Sequence, residues 1–260
     1  MIDFKKYKRL FVFGCSFTSY MWPTWADIVS REIPNVDFYN FGLCGGGNLL
    51  ISIRITEANI RYKFNEDDLI MVMWTTFCRE DRYRNGSWMM SGNIFSATHD
   101  YSEEFIRKYA DPRGYLIRDL AVMTQTNAFL KTIPATFFMM TGVPYDHQME
   151  DEDVADVMEL YKETTLSTPP SLFELEMNGV WENGAAYYNP AHCKPGDLLQ
   201  DYHPNPMRYY NYLEKLGLPM TEVSLGYAQR AAHALQHIKT LDILHGSFKS
   251  ITPSKFRDIL

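Results

Sequence analysis

Asp201 and His203 stand two positions apart in the stretch Leu199-Gln200-Asp201-Tyr202-His203-Pro204-Asn205-Pro206. In extended chain, residues i and i+2 face the same side, so this carboxylate can reach this imidazole. Pro204 and Pro206 stiffen the backbone around the pair. A carboxylate so placed fixes the ring tautomer and stabilises the imidazolium, which is what a serine nucleophile requires of its base. Toward the other end of the chain, Ser16 sits in Gly14-Cys15-Ser16-Phe17-Thr18, directly after the strand-forming run Leu10 to Phe13. It can act as a nucleophile if a base reaches it. Both stretches also have a plainer reading. Ser16 and Thr18 are ordinary turn residues, and Asp201 suits an Asx-type turn leading into a helix at Met207.

The elements around these residues read as alternating strands and helices. Leu10 to Gly14 is a buried first strand that delivers Ser16 to a tight strand-to-helix turn. That turn lies at the carboxyl edge of a parallel sheet, where open α/β folds place their ligands. Pro23 to Ser30 has the cap and period of a helix, closing before Pro34. Val36 to Phe41 is a second strand running into Gly42-Leu43-Cys44-Gly45-Gly46-Gly47-Asn48 and a long helix from about Leu49 to Phe64. Strand, glycine-rich turn and helix aim backbone N–H groups at an anion or a developing oxyanion. The glycines do not make the dinucleotide pattern G-x-G-x-x-G, so a nucleotide site is the weaker reading; they also simply permit a tight turn.

Leu69 to Trp74 is the clearest buried strand, apolar throughout as a parallel strand covered on both faces must be. Thr75 and Thr76 follow at its edge, with Arg79, Glu80, Asp81 and Arg82 beyond. Tyr83 to Tyr101 reads as a surface excursion. Ser102 to Lys131 is helical with a break near Asp111-Pro112-Arg113-Gly114, and Pro134 to Thr141 supplies a fourth strand. The stretch 142–200, with an acidic helix from Asp151 to Glu163, reads as an insertion or lid packed on the core rather than one long loop. Helices are expected over Met207 to Leu216 and Thr221 to Leu241, followed by a tail to Leu260. The whole is one α/β domain with an insertion.

The balance of 25 basic against 32 acidic residues, formally −7, and the lack of a basic run speak against a nucleic-acid or anionic-membrane partner. Cys15, Cys44, Cys78 and Cys193 are scattered without metal spacing, and the first three suit buried small-hydrophobe roles. A reducing, cytoplasmic setting is the default. Lys5, Lys6, Lys8 and Arg9 precede an apolar run too short for a signal core of roughly 7–15 residues. A metal site built on His192, Cys193 and His203 lacks recognisable ligand spacing. No cofactor motif is present, and none is expected.

Gly14-Cys15-Ser16-Phe17-Thr18, Asn40 to Gly45, and Asp201-Tyr202-His203-Pro204-Asn205 together resemble blocks I, II and V of the SGNH (GDSL-type) hydrolases, in the same order and at similar separations. The resemblance covers about residues 9–141 and 197–217. It implies a three-layer α/β/α flavodoxin-like domain with a mainly parallel central sheet. It also implies a Ser-His-Asp site that hydrolyses esters, often acetyl groups on carbohydrates. Carried over, Ser16 is the nucleophile, His203 the general base and Asp201 its orienting carboxylate. The N–H groups of Ser16 and Gly45 form the oxyanion hole. The family's block III asparagine is replaced here by the edge Trp74-Thr75-Thr76, which leaves Thr76 or Asn48 to supply the third donor. The commoner family spacing between acid and histidine would instead put Gln200 in the acidic place. The expected activity is a serine esterase, with an O-acyltransferase on the same site as a close variant. A non-catalytic glycan- or protein-binding module is the reading from another class.

Overall fold

The computed structural model describes residues 2–89, 92–95, 101–145, 147, 149, 151–182, 184–191 and 193–237. In chain order the elements are β1 (Arg9–Phe13), α1 (Trp25–Ser30), β2 (Asp37–Asn40), α2 (Asn48–Tyr62) and β3 (Asp68–Trp74). A small hairpin follows, β4 (Tyr83–Arg84) and β5 (Ser87–Trp88), then α3 (Glu103–Tyr109), α4 (Pro112–Leu130) and β6 (Thr136–Thr141). The remainder comprises α5 (Asp151–Leu160), α6 (Lys162–Leu166), α7 (Leu172–Met177), β7 (Ala185–Tyr187), β8 (Leu199–Asp201), α8 (Pro206–Lys215) and α9 (Glu222–His237).

Four parallel strands form the central sheet in the order β2-β1-β3-β6. That is the beginning of the flavodoxin-like order 2-1-3-4-5, with no fifth strand among the described residues. Alternation along the strands splits the core. Leu10, Val12, Leu69 and Met71 face one side, where α1, α7, α8 and α9 cover them. Phe11, Phe13, Ile70, Val72 and Trp74 face the other, under α2, α4 and α5. The arrangement is therefore three-layer α/β/α. β3, buried at every position, is the strand that must be apolar on both faces.

At the sheet's lower edge, Arg9 makes a two-pronged ion pair with the fully buried Asp68, both contacts at 2.6 Å, tying the starts of β1 and β3 together. Register then carries both strands to the same upper edge, so that the chain leaves β1 and β3 side by side. The break expected near Pro112 is real. Asp111 caps α4 by accepting from the Gly114 N–H, with Pro112 in the first turn.

The stretch 142–200 is built of short helices and a hairpin. Val154 and Val157 of α5 join one core face, and Leu172, Phe173 and Met177 of α7 join the other. β7 and β8 pair antiparallel, aligning Ala185 with Asp201. The helix expected as far as Leu241 is seen to His237; its end and the tail to Leu260 lie outside the described residues, as does His192.

Candidate active site

Ser16 follows β1 by three residues, and the turn is held by its neighbours rather than by itself. The N–H groups of Thr18 and Ser19 both donate to the Cys15 carbonyl, at 2.9 and 3.2 Å. Thr18 is fully buried: its hydroxyl accepts from the Trp25 indole at 3.2 Å, and its carbonyl accepts from Thr24 and Asn40. A Cβ on Gly14 would lie 2.0 Å from the Thr18 hydroxyl and 2.9 Å from the Met73 carbonyl, so only glycine lets the turn close over the sheet edge. Thr18 thus carries the structural role that sequence offered to both residues. The Ser16 hydroxyl is left for something else.

Asp201 ends β8, and His203 lies just beyond it. Asp201 Oδ1 accepts from the His203 backbone N–H at 2.9 Å and lies 2.8 Å from His203 Nδ1. The Asx turn and the carboxylate–imidazole pair are therefore one structure. The helix cap belongs to Asn205, whose side chain accepts from Met207 and Arg208 N–H at the start of α8. Gln200, one residue earlier in β8, is exposed where Asp201 is buried, so the one-residue spacing is the one that brings a carboxylate to the imidazole. Pro204 is pinned through its carbonyl by the Trp22 indole at 2.9 Å. A Cβ on Gly184 would lie only 1.7 Å from the His203 carbonyl, so the β7 side of the hairpin grips the histidine loop through a missing side chain.

Two tyrosines that sequence gave no reason to single out complete the carboxylate's surroundings. Tyr20 and Tyr187 both donate to Asp201 Oδ2, Tyr187 at 3.2 Å. The Tyr20 ring also stacks on the His203 imidazole, with centroids 3.7 Å apart and planes 16° from parallel. Burial opposes ionisation of Asp201, but the hydrogen bond and charge of His203, with the Tyr20 donor, hold its carboxyl below the usual range. Tyr20→Phe removes one donor while keeping the stack. It is expected to lower kcat about tenfold, the effect of one lost hydrogen bond to a charged group, with KM little changed. Steady-state kinetics on a chromogenic ester reads this directly.

His203 reaches Ser16's neighbourhood through the same aromatic frame. Phe17 presents its ring edge-on to the imidazole at 5.6 Å, and Tyr20 comes from the same turn. Among the described residues the imidazole's hydrogen bonding is on the Nδ1 side, and Ser16 hydrogen-bonds Cys44. No hydrogen bond joins the Ser16 hydroxyl to the imidazole. Cys44 corrects the expectation of a buried small hydrophobe. The residue is exposed, while Cys15 and Cys78 are buried. Although Cys44 is exposed as a whole, its thiol faces the site, where the surrounding protein shields it from water and pushes it above its ordinary value, as does Cys15 beside it.

The β2–α2 loop packs directly on this turn: Leu43 N–H donates to the Gly14 carbonyl at 3.0 Å, and Asn40 bridges Thr18 and Gly42. Gly45 has φ of 77°, a left-handed conformation that favours glycine. Neither Ser16 N–H nor Gly45 N–H has an acceptor among the described residues. Asn48 is not available as a third donor. It is buried, with its amide donating to Thr75 O and Asp119 Oδ2 at 3.0 and 2.9 Å, and it accepts from Thr75 N–H. It is a brace between α2, β3 and α4. Thr76 remains. Its hydroxyl accepts from Arg79 Nε at 3.3 Å, which leaves its own hydrogen to donate.

Among the described residues no group of three or more His, Cys, Asp or Glu could hold a metal ion, and no helix is long and apolar enough to cross a membrane. No family model and no curated protein matches the chain. Among solved structures, a member of the lipolytic G-D-S-L family from Veillonella parvula is similar at 16% identity and TM-score 0.43, over 79% of this chain and 96% of that one. A catalytic mutant of an acetylxylan esterase from Geobacillus stearothermophilus is similar at 14% and 0.41, over 85% and 99%. An acetyl xylan esterase from Butyrivibrio proteoclasticus is similar at 12% and 0.38, over 83% and 65%. At such identities and scores a shared scaffold says nothing about which residues act.

Proposed function

We propose that this chain is a serine esterase of SGNH type that removes an acetyl or other short acyl group, through an acyl-enzyme on Ser16. The observation that carries the reading is the Asp201–His203 pair, 2.8 Å apart and framed by Tyr20 from the Ser16 turn. Asp201 holds the proton on Nδ1, so that Nε2 is the basic nitrogen. As Ser16 Oγ bonds to the ester carbonyl carbon, its proton passes to His203 Nε2. The N–H groups of Ser16 and Gly45, with the Thr76 hydroxyl, receive the oxyanion. Collapse breaks the bond to the alcohol oxygen, which takes the proton from His203. Water then repeats the sequence on the acyl-enzyme, releasing the acid and restoring Ser16.

A carbohydrate alcohol is favoured by Trp181, which stays 37% exposed while its ring packs edge-on to Phe17 at 6.3 Å. The ring, which also packs on Phe173 at 4.7 Å, thus lies next to the residue that follows Ser16, and a partly exposed indole there suits the C–H face of a sugar. If a sugar hydroxyl replaces water in the second step, the same machinery is an O-acyltransferase.

The test is intact-mass analysis after exposure to a fluorophosphonate. One adduct per chain, absent from Ser16→Ala, is the expected result. No adduct under conditions that label a control esterase overturns the proposal in favour of a binding module, the reading to which the replaced block III asparagine points.

A further inference from the structure

Charges crowd the upper edge of the sheet around Arg79, and most of them are committed to one another or to the backbone. Glu80 binds Arg82 at 2.6 Å, Tyr115 at 2.7 Å and Arg118 at 3.5 Å. Asp119 takes Arg118 at 2.7 Å and the Asn48 amide. Asp81 spends both oxygens on the start of α2, accepting from Gly47 and Leu50 N–H at 2.7 and 2.9 Å. Arg79 makes no ion pair among the described residues. Its guanidinium lies within electrostatic reach of the buried Asp81 but makes its hydrogen bonds elsewhere, donating through Nη1 to the Gly46 carbonyl at 2.8 Å and through Nε to the Thr76 hydroxyl. Both acceptors are neutral, and Nη2 donates to none of the described residues.

The place matters as much as the missing partner. Gly46 adjoins the Gly45 N–H, and Thr76 is the hydroxyl at the β3 edge, so Arg79 bridges the two sides of the proposed oxyanion pocket. The Cys44 thiol that hydrogen-bonds Ser16 is also within electrostatic reach of Arg79. A half-buried guanidinium held by two neutral acceptors, with Nη2 donating to none of the described residues, keeps donors in its planar fork, the geometry that recognises carboxylate, sulfate or phosphate groups.

We propose that Arg79 is a specificity-determining residue that binds an anionic group carried by the ester substrate, so that the preferred substrates are acylated acids rather than neutral acyl esters. This rests on the esterase reading for the chemistry but on Arg79's own surroundings for the charge. The donors left on the guanidinium meet the anion while the ester carbonyl lies between Ser16 and the Gly45 N–H.

Two measurements test it. First, kcat/KM is measured for 4-acetoxybenzoate and for its neutral methyl ester, in wild type, Arg79→Gln and Arg79→Lys. The preference of wild type for the anionic ester is expected to fall by roughly 10–100-fold in Arg79→Gln, the effect of one hydrogen-bonded charge pair, and to be partly kept in Arg79→Lys. Taking the ratio cancels any common loss from the freed Gly46 carbonyl. Second, calorimetric titration of 4-acetoxybenzoate into Ser16→Ala and into Ser16→Ala/Arg79→Gln reads binding without turnover, with the double variant expected to bind 10–100-fold more weakly. Equal preference in wild type and Arg79→Gln, or equal affinities in the two Ser16→Ala proteins, overturns the proposal. If wild type hydrolyses neither ester, the esterase reading fails, and the titration still decides Arg79.

Discussion

Ser16→Ala is expected to lower ester turnover by roughly 10⁴- to 10⁶-fold while leaving thermal stability unchanged, because the nucleophile of a triad acts as one unit with its base. The two halves of that expectation come from different observations. The rate falls because the neighbouring Thr18 cannot take over: it is sunk beneath the turn with its hydroxyl committed to Trp25. Cys44 is the nearest alternative nucleophile, but its thiol is pushed above its ordinary value, so its thiolate is scarce at neutral pH. The residual rate should therefore be the same in Ser16→Ala and Ser16→Ala/Cys44→Ala. Stability holds because Thr18, Ser19 and Gly14 build the turn and the Ser16 hydroxyl does not. Thermal melts and single-turnover kinetics check both halves, and a Ser16→Ala protein retaining a tenth of wild-type kcat would place the nucleophile elsewhere.

Asp201→Asn should cost about 10⁴-fold in kcat, close to the loss known when a triad carboxylate becomes an amide. An asparagine can present its amide to His203 Nδ1, shifting the ring's proton to Nε2, where it blocks acceptance from Ser16. In that orientation the amide nitrogen also faces the His203 backbone N–H, a donor that Asp201 Oδ1 accepts. The same substitution has a signature in acid. Asp201 has a folded pKa below the unfolded reference of about 3.9, so its ionised form stabilises the fold. That contribution is fully present above the unfolded value and is lost as pH falls through the folded one. The gap in melting temperature between wild type and Asp201→Asn should therefore be widest near neutrality and close below about pH 4. A gap independent of pH would remove the ionised carboxylate from the account.

The serine turn and the acid–base pair were legible because each is local: Ser16 follows a strand directly, and Asp201 and His203 are two residues apart. β3 was legible for the same reason, as seven consecutive buried residues leave no other period to find. The supporting residues were hidden because tertiary packing alone defines them. Tyr20 meets Asp201 across 181 positions, and Gly184 meets the His203 carbonyl through an approach that no local pattern encodes. Asn48 illustrates the opposite failure. Its place at the start of α2 suggested a side chain pointing into the site, yet Asp119, 71 positions later, draws the amide into the core. The 142–200 stretch resisted because α6 and α7 are five and six residues long, under two turns, too short to show a helical period.

The long span between Tyr20 and Asp201 has a consequence for synthesis. Ribosomes add about 5–20 residues each second, so roughly 10–40 s separate the emergence of the serine turn from that of its base. Through that interval β1, β2, β3 and β6 are available to pair, while the aromatic cradle around Tyr20 holds no histidine. On the esterase reading, the nascent chain can assemble its sheet without possessing a working nucleophile, and a chain cut short anywhere before His203 lacks the base. By the same reading, competence arrives only with the loop that follows β8, after the four strands of the central sheet.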